Sequence, residues 1–429
     1  MPAAVVLIGL FLLLVLVGVP ISYCLGIASV ATAWYMGFPA VVVAHRIAVG
    51  MQSFPLVAIP LFILAGAIMS RGGVARRIVD FAYLLVGPFR GGLAMVNCIQ
   101  AMFFGGVSGS ALADISSAGP ILIPMMVQKG YDREFSTALT IAASTQGIII
   151  PPSQNMIIYA MAAGGVSVGA LFLAGYVPGI MIGLALMATS YIIAVRRNYP
   201  REKRPPFRKS IRVIIDGVLA LLAAVVIVGG IAFGIFTATE ASAIAVIYSA
   251  ILGLFVYREL RLRDLWYVLL DTVKVISSVM FLIGSATAFG WLLALLQVPV
   301  AVTSTFTAIG GGRIVVLLMM NVLLLLLGMI MDLAPLIVIT TPILLPLAQA
   351  TGMSPVTFGI VLLLNLSIGI TTPPVGTGLF VGCTVGGTTI ERTTRAMVQF
   401  WPAMIAVLLL TTFVPWFTEF LPKLIMHAA

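Results

Sequence analysis

The sequence predicts an all-α polytopic membrane protein whose two halves repeat each other in opposite orientation across the bilayer. Three observations predict it. Apolar runs of about 20 residues, the length that crosses a bilayer, recur from end to end. Of the 429 residues, 61% are hydrophobic and 8% charged, and the mean hydropathy is +1.19. A soluble globular domain carries roughly 25% charged residues. Finally, one fixed offset, 342 − 120 = 222, superposes glycines and prolines of the first half on those of the second.

The net charge of +10 is distributed as membrane topology requires, not as a nucleic-acid footprint. Basic residues fall between apolar segments: Arg71, Arg76 and Arg77; the stretch from Arg196 to Arg212; Arg258, Arg261 and Arg263; Arg392 and Arg395. The segment 196–212 is basic, proline-rich and central, so it reads as a cytoplasmic loop that anchors the topology. The first spanning helix is 4–35; it lacks the small-residue cleavage pattern of a signal peptide and stays apolar to about Tyr35. Helix 55–70 returns and leaves Arg71, Arg76 and Arg77 inside. Segment 74–87 mixes Arg76, Arg77 and Asp80 with Ile78, Phe81, Leu84 and Leu85, as a helix lying on the membrane surface would. Segment 90–130 follows, then 133–163, which exits, and 168–195, which enters the cytoplasm. Beyond the loop, 213–235 leaves, 238–257 returns, 264–275 lies on the surface and 276–297 exits. Segment 313–351 precedes 355–388, which returns and places Glu391, Arg392 and Arg395 inside, and 397–420 exits last. If 90–130 and 313–351 each crossed once, the basic clusters would fall outside; as re-entrant hairpins they keep every major cluster inside.

The chain thus divides into a first repeat, 1–195, the loop 196–212, a connecting transmembrane helix, 213–235, and a second repeat, 236–429. The odd helix inverts the second unit. At the 222-residue offset, Gly106 matches Gly328, Gly130 matches Gly352 and Gly147 matches Gly369. Pro151-Pro152 matches Pro373-Pro374, Gly164-Gly165 matches Gly386-Gly387, and the Pro120 to Pro124 run matches Pro342 to Pro346. Glycine and proline set unusual backbone, so agreement at these positions carries structure and not merely composition. Inverted repeats with paired broken segments point to a transport site near the bilayer midplane.

The chemistry concentrates at those breaks. Ser144-Thr-Gln-Gly-Ile-Ile-Ile-Pro-Pro-Ser153 and Leu366-Ser-Ile-Gly-Ile-Thr-Thr-Pro-Pro-Val375 each interrupt a long apolar helix. A double proline removes two donors and clashes with the preceding turn, so the helix unwinds around 148–151 and 370–373. Carbonyls freed in hydrocarbon need partners, and a cation suits them; the half-helix beginning after each break turns a positive end toward the same place and suits an anionic group. A plain proline kink repaired by neighbouring Ser and Thr is the other reading. Two hairpin tips face the breaks: Gly105-Gly-Val-Ser-Gly-Ser-Ala-Leu-Ala-Asp114 and Gly328-Met-Ile-Met-Asp-Leu-Ala-Pro335. Asp332 aligns with Ser110. Asp114 and Asp332 lie deep in apolar sequence, where a carboxylate costs about 2.5–3.5 kcal/mol on insertion scales. With Ser108 and Ser110 they supply hard oxygen ligands; each Asp equally fits as a helix N-cap, and the two roles are compatible. Ser153, Asn155, Thr340, Thr341, Asn365, Ser367 and Thr377 flank these positions, either lining a site or bonding between helices.

Several chemistries find no support. A Walker-type phosphate loop is absent from the sequence, so this chain does not hydrolyse ATP; an ion gradient is the natural energy source. No nucleophile–base motif marks an enzyme, and no organic cofactor is expected. Cys24, Cys98 and Cys383 lie in apolar stretches without paired spacing and read as free thiols. His45 and His427 stand apart from other metal-ligand types.

The run Gly106-Val-Ser-Gly-Ser-Ala-Leu-Ala-Asp-Ile-Ser-Ser-Ala-Gly119, both Pro-Pro breaks, Met331-Asp332 and Phe236-Thr-Ala-Thr-Glu-Ala-Ser242 resemble the large membrane subunit of tripartite ATP-independent periplasmic (TRAP) transporters over nearly the whole chain. The resemblance implies Na⁺-coupled import of an organic acid across the bacterial inner membrane. C4-dicarboxylates, keto acids and sialic acids are its substrate classes. It implies two protein partners, a periplasmic binding protein and a small four-helix membrane subunit, here expected as a separate chain because this one begins at its first helix. It implies an elevator-type fold, in which hairpins and broken helices move against a scaffold. It implies two or more coupling Na⁺ ions. One would sit between the first tip (Ser108, Ser110) and Gly147 and Ile149; another would sit between Gly328 and Asp332 of the second tip and Gly369, Thr371 and Thr372. A stand-alone Na⁺/dicarboxylate or anion symporter of similar fold is the alternative. A passive channel is disfavoured by helix breaks in two inverted copies.

Overall fold

A computed structural model describes residues 2–52, 54–201, 207–308 and 312–426. The centre of the basic loop, 202–206, and His427 lie outside the described residues. Twenty-two α-helices and no strand occur among the described residues.

The chain opens with α1 (Pro2–Leu16), α2 (Ile21–Tyr35) and α3 (Ala40–Gly50). The expected single helix 4–35 is therefore two, packed on each other. Gly18 takes a positive φ of 86° and Pro20 sits at the start of α2, so the apolar run turns back where its composition gives no warning. Next come α4 (Ala58–Arg71) and α5 (Val74–Val86), bent by 68° at Gly72-Gly73, as expected for a span followed by an amphipathic segment. The first hairpin is α6 (Gly92–Ser108) and α7 (Ala111–Gln128). The first broken helix is α8 (Arg133–Ser144), the single turn α9 (Gln146–Ile149) and α10 (Gln154–Ala162), followed by the long α11 (Val168–Arg196).

The connecting helix α12 runs from Phe207 to Ala232. It begins six residues before the expected 213, directly after the proline pair 205–206, so the loop is shorter than 196–212. Then come α13 (Ala238–Ile251), opened by a capping box between Thr237 and Glu240, and α14 (Leu262–Leu295). The expected surface segment 264–275 and span 276–297 form one continuous helix in α14: no Gly or Pro interrupts the sequence where amphipathic pattern gives way to apolar. Helix α15 (Val298–Ala308) leads to the second hairpin, α16 (Gly312–Gly328) and α17 (Leu333–Ala350). The second broken helix is α18 (Pro355–Gly369) and α19 (Thr377–Gly386), and α20 (Ile390–Met397), α21 (Trp401–Phe413) and α22 (Trp416–Met426) close the described chain. The expected helix 397–420 is thus divided at Pro415, between α21 and α22.

The broken helices sit at the centre. Every residue from Phe135 to Ser144 and from Thr357 to Gly369 is buried, whereas α12 and α14 expose rows of Val, Ile and Leu at the periphery, as lipid-facing helices do. Six helices are long and apolar enough to cross a membrane, by length and composition, among the described residues. The packing is crosswise: α7 of the first hairpin lies on α19 of the second break, and α17 of the second hairpin lies on α10 of the first.

Candidate functional site

Each hairpin tip is seated on the Pro-Pro break of its own half. At the first tip, Gly109 takes φ 61°, and a Cβ there would fall 2.6 Å from the Pro152 carbonyl oxygen; one on Gly106 would fall 3.2 Å from the Pro151 carbonyl oxygen. At the second, the Met329 carbonyl accepts the Val375 N–H at 3.1 Å and the Gly376 N–H at 3.4 Å. Both tips need bare backbone for this approach, which is why glycine recurs there. Both Pro-Pro bonds are cis.

The two tips share a cavity of about 460 Å³. From the first come Ser108, Ser110 and Ala111 to Ala113; from the second, Asp332 to Ala334; from the start of α10, Gln154 and Asn155. The far wall is built by α4, with Gly66, Ser70 and Arg71, and by Val275 and Val279 of α14. The volume is that of an ordinary small-molecule site. Two helices start at its rim. Ser110 caps α7 by accepting the Ala113 N–H at 3.4 Å, and Asp332 caps α17 by accepting the Leu333 N–H at 2.9 Å. Their unpaired N–H groups and positive dipole ends favour an anion between the tips.

Of the residues singled out in sequence, Ser108, Ser110, Asn155 and Asp332 line this cavity. Thr377 stands beside it, its hydroxyl 3.4 Å from Asp332 Oδ1. Thr340 and Thr341 do not line it; both are buried within α17 and donate to the Leu336 and Ile337 carbonyls. Ser153 is buried and donates to the Ile148 carbonyl at 2.7 Å, repairing the break from within. Ser367 donates to the Leu364 carbonyl, and Asn365 donates to Asn321 Oδ1 at 2.7 Å. Asp114 lies outside the cavity lining, 2% exposed, and accepts from Gln100 Nε2 at 2.9 Å across the two arms of the first hairpin. It is in the first turn of α7, but the cap itself is Ser110.

Apart from the carboxylates of Asp114 and Asp332, the groups expected to hold Na⁺ are neutral oxygens close to small residues. Ser110 O is 3.5 Å from where a Cβ on Gly147 would lie. The Thr372 carbonyl oxygen lies 2.8 Å from the corresponding point on Gly376, while the Ile370 carbonyl, not among the expected groups, already accepts the Leu379 N–H at 3.2 Å. Thr371 and Thr372 both donate to the Ile368 carbonyl, and Thr371 also accepts from Trp401 Nε1 at 3.2 Å. Hard oxygen donors beside unobstructed backbone fit a hard cation. The Ile149 carbonyl, by contrast, is pressed against Gly175 of α11, where a Cβ would come within 2.2 Å of its oxygen.

Sequence reasoning missed the far wall. By sequence Arg71 is only a topology marker, yet it lines the cavity with its Nη2 2.6 Å from Asp271 Oδ2. Ser70 lines it too and hydrogen-bonds Ser117 of α7. The available signal was a Ser-Arg pair closing an apolar helix, but nothing in the sequence says which hairpin that helix end will meet.

A family profile described as "Tripartite ATP-independent periplasmic transporter, DctM component" matches residues 8–417. The isethionate TRAP transporter permease protein DctMQ of Oleidesulfovibrio alaskensis is 40% identical, covering 96% of this chain and 65% of that one. The C4-dicarboxylate TRAP transporter large permease protein DctM of Pseudomonas aeruginosa is also 40% identical, covering 87% of each. Among solved structures, the Alcanivorax borkumensis YdaH transporter superposes with a TM-score of 0.64 at 14% identity, over 88% of each chain, a likeness of fold.

Proposed function

We propose, from the premise that this chain belongs to the DctM family of tripartite ATP-independent periplasmic transporter components, that it imports an organic acid by Na⁺-driven alternating access. Members of the family are transporter permeases, not enzymes. The relatives' names point to a small organic anion, a C4-dicarboxylate or a sulfonate such as isethionate, and keto acids and sialic acids remain within the proposed class. The membrane is the bacterial inner membrane. The partners are a small membrane subunit and a periplasmic binding protein.

One observation carries the reading: both hairpin tips and the restart of a broken helix open into a single cavity, through Ser108, Ser110, Asn155 and Asp332. The tips and helix starts present N–H groups and hydroxyls to an anion, while the carbonyls freed at the breaks serve the cation. Asp332 links the two. Its carboxylate repels an anionic substrate when bare and ceases to do so once Na⁺ is beside it, so ion binding precedes substrate binding. The crosswise packing of α7 on α19 and α17 on α10 supports the inverted-repeat reading, since a two-fold axis in the membrane plane requires that exchange. On that reading the hairpins and broken helices move as one body past α4, α13 and α14.

The test is uptake in proteoliposomes. Accumulation of the organic acid should require a Na⁺ gradient, the small subunit and the binding protein together. Full uptake on a proton gradient alone would refute Na⁺ coupling, and full uptake by this chain alone would favour a self-sufficient symporter.

A further inference from the structure

We infer that Arg71 is the carboxylate-binding cation of the transport cavity, held ready by Asp271 of α14 and offered to the anionic end of the substrate. The inference rests on the transport reading above and adds to it the residue that recognises the substrate's charge. Among the described residues lining the cavity, Arg71 is the only cation and Asp332 the only carboxylate. An organic anion entering this space therefore meets one fixed positive side chain, in the last turn of α4 and opposite the two tips.

The local arrangement suits that task. Arg71 Nη2 donates to Asp271 Oδ2 at 2.6 Å, and this is its one hydrogen bond among the described residues. A guanidinium carries five N–H donors, so an open edge remains for a second carboxylate. Asp271 is shared: Lys274 Nζ lies 3.7 Å from its other oxygen. Two cations around one carboxylate leave the Arg71–Asp271–Lys274 group at net +1, so a docking anion meets uncompensated positive charge. Arg71 and Asp271 are half-exposed, at 47% and 53%, so the guanidinium reaches the cavity without a deeply buried charge to desolvate. Beside it, Ser70 hydrogen-bonds Ser117, and Ser116 completes a hydroxyl wall able to donate to a second substrate oxygen. A planar fork is the side chain that matches carboxylate or sulfonate geometry best. On the charge pattern of the sequence this end of α4 faces the cytoplasm, so Arg71 is the last group to release an inward-moving substrate.

The test is equilibrium binding to the full chain in lipid nanodiscs with its small membrane subunit, at saturating NaCl. The probes are succinate, isethionate and N-acetylneuraminate. For the probe that wild type binds, Arg71→Gln should weaken binding by about tenfold or more, the scale of one charged hydrogen-bonded pair. The half-saturating Na⁺ concentration should stay within about twofold. Arg71→Lys, which keeps charge but loses the fork, should fall between the two. Should Arg71→Gln alone fail to assemble because Asp271 is left unpaired, the double variant Arg71→Gln/Asp271→Asn removes both charges and should show the same loss of anion affinity. Unchanged anion affinity in Arg71→Gln or in the double variant would overturn the inference and leave Arg71 an interfacial anchor, with the transport reading intact. Failure of wild type to bind any of the three probes would count against the transport reading, and the inference would fall with it.

Discussion

Gly369 crosses Gly328 backbone on backbone: a Cβ built on Gly369 would lie 2.5 Å from the Gly328 carbonyl carbon and 2.6 Å from its Cα. The first half repeats the arrangement, where a Cβ on Gly105 would lie 2.7 Å from the Gly147 Cα. In each half the first arm of the hairpin meets its broken helix with no side chain between them. That contact sets how far the tip reaches over the freed carbonyls. Gly369→Ala should therefore lower thermal stability, at an overpacking cost of about 1–3 kcal/mol, and reduce Na⁺-driven uptake in parallel. Gly290→Ala in α14, where nothing lies within 4 Å, is the control and should be neutral in both. Thermal unfolding of the detergent-solubilised variants with uptake assays decides it; equal behaviour of the two variants would mean the crossing is not tight.

Asp114 separates a bracing role from an ion-binding role. Its carboxylate is buried, faces Gln100, and stays out of the cavity lining. Asp114→Leu removes the acceptor and strands the buried Gln100 amide, at a cost of about 1–3 kcal/mol. Asp114→Asn retains a side-chain oxygen for the same bond and should fold nearly as well as wild type, with half-saturating Na⁺ within about twofold. A large rise in the Na⁺ requirement of Asp114→Asn, at unchanged stability, would place the ion at Asp114 instead.

How much of this was legible in the sequence depends on the range of the interactions. The hairpins and breaks were readable because Gly and Pro act on their own backbone, and the 222-residue register doubled the signal. The cap at Asp332 was readable because a cap bonds its own helix start, whereas the cap expected at Asp114 falls four residues earlier, at Ser110. The split of 4–35 into α1 and α2 carried a signal, Gly18 and Pro20, that a count of apolar residues overrides. The opposite error joined two segments: charge in 264–275 reads as surface, yet α14 continues through it because nothing breaks it. Arg71 was out of reach. Its partner Asp271 lies 200 residues away, and only the folding of α14 beside α4 brings them together. Thr340 and Thr341 looked like site residues, but their hydroxyls bond back to their own helix, a choice composition does not reveal.

Topology has a direct check. Cys24, Cys98 and Cys383 are free and buried, so a background lacking all three should tolerate removal as small apolar replacements. On it, Asn198→Cys after α11 and Arg263→Cys at the start of α14 place thiols at exposed positions. Both should resist an impermeant thiol reagent in intact spheroplasts and react after permeabilisation. Ready labelling of both from outside would invert the orientation and remove the reason for treating α6–α7 and α16–α17 as re-entrant.

Asp332 is the residue on which the ion-site reading turns. It occupies the second tip, accepts the Leu333 N–H at 2.9 Å, and exposes its carboxylate to the cavity beside Thr377. Its capping role is therefore present in the structure, and the question is whether the charge does more. Asp332→Asn separates the two, because Asn caps a helix about as well as Asp but carries no charge. If the carboxylate serves Na⁺, the variant should insert, assemble and keep its thermal stability. It should nevertheless need several-fold more Na⁺ for half-maximal uptake, since a charged partner contributes on the order of 1.5–3 kcal/mol. The same variant should lose the ordering of Na⁺ before substrate, because the bare carboxylate that repels the anion is gone; anion binding in Na⁺-free medium should rise relative to wild type. An Asp332→Asn protein with wild-type Na⁺ dependence and no anion binding without Na⁺ would leave Asp332 a helix cap and nothing else.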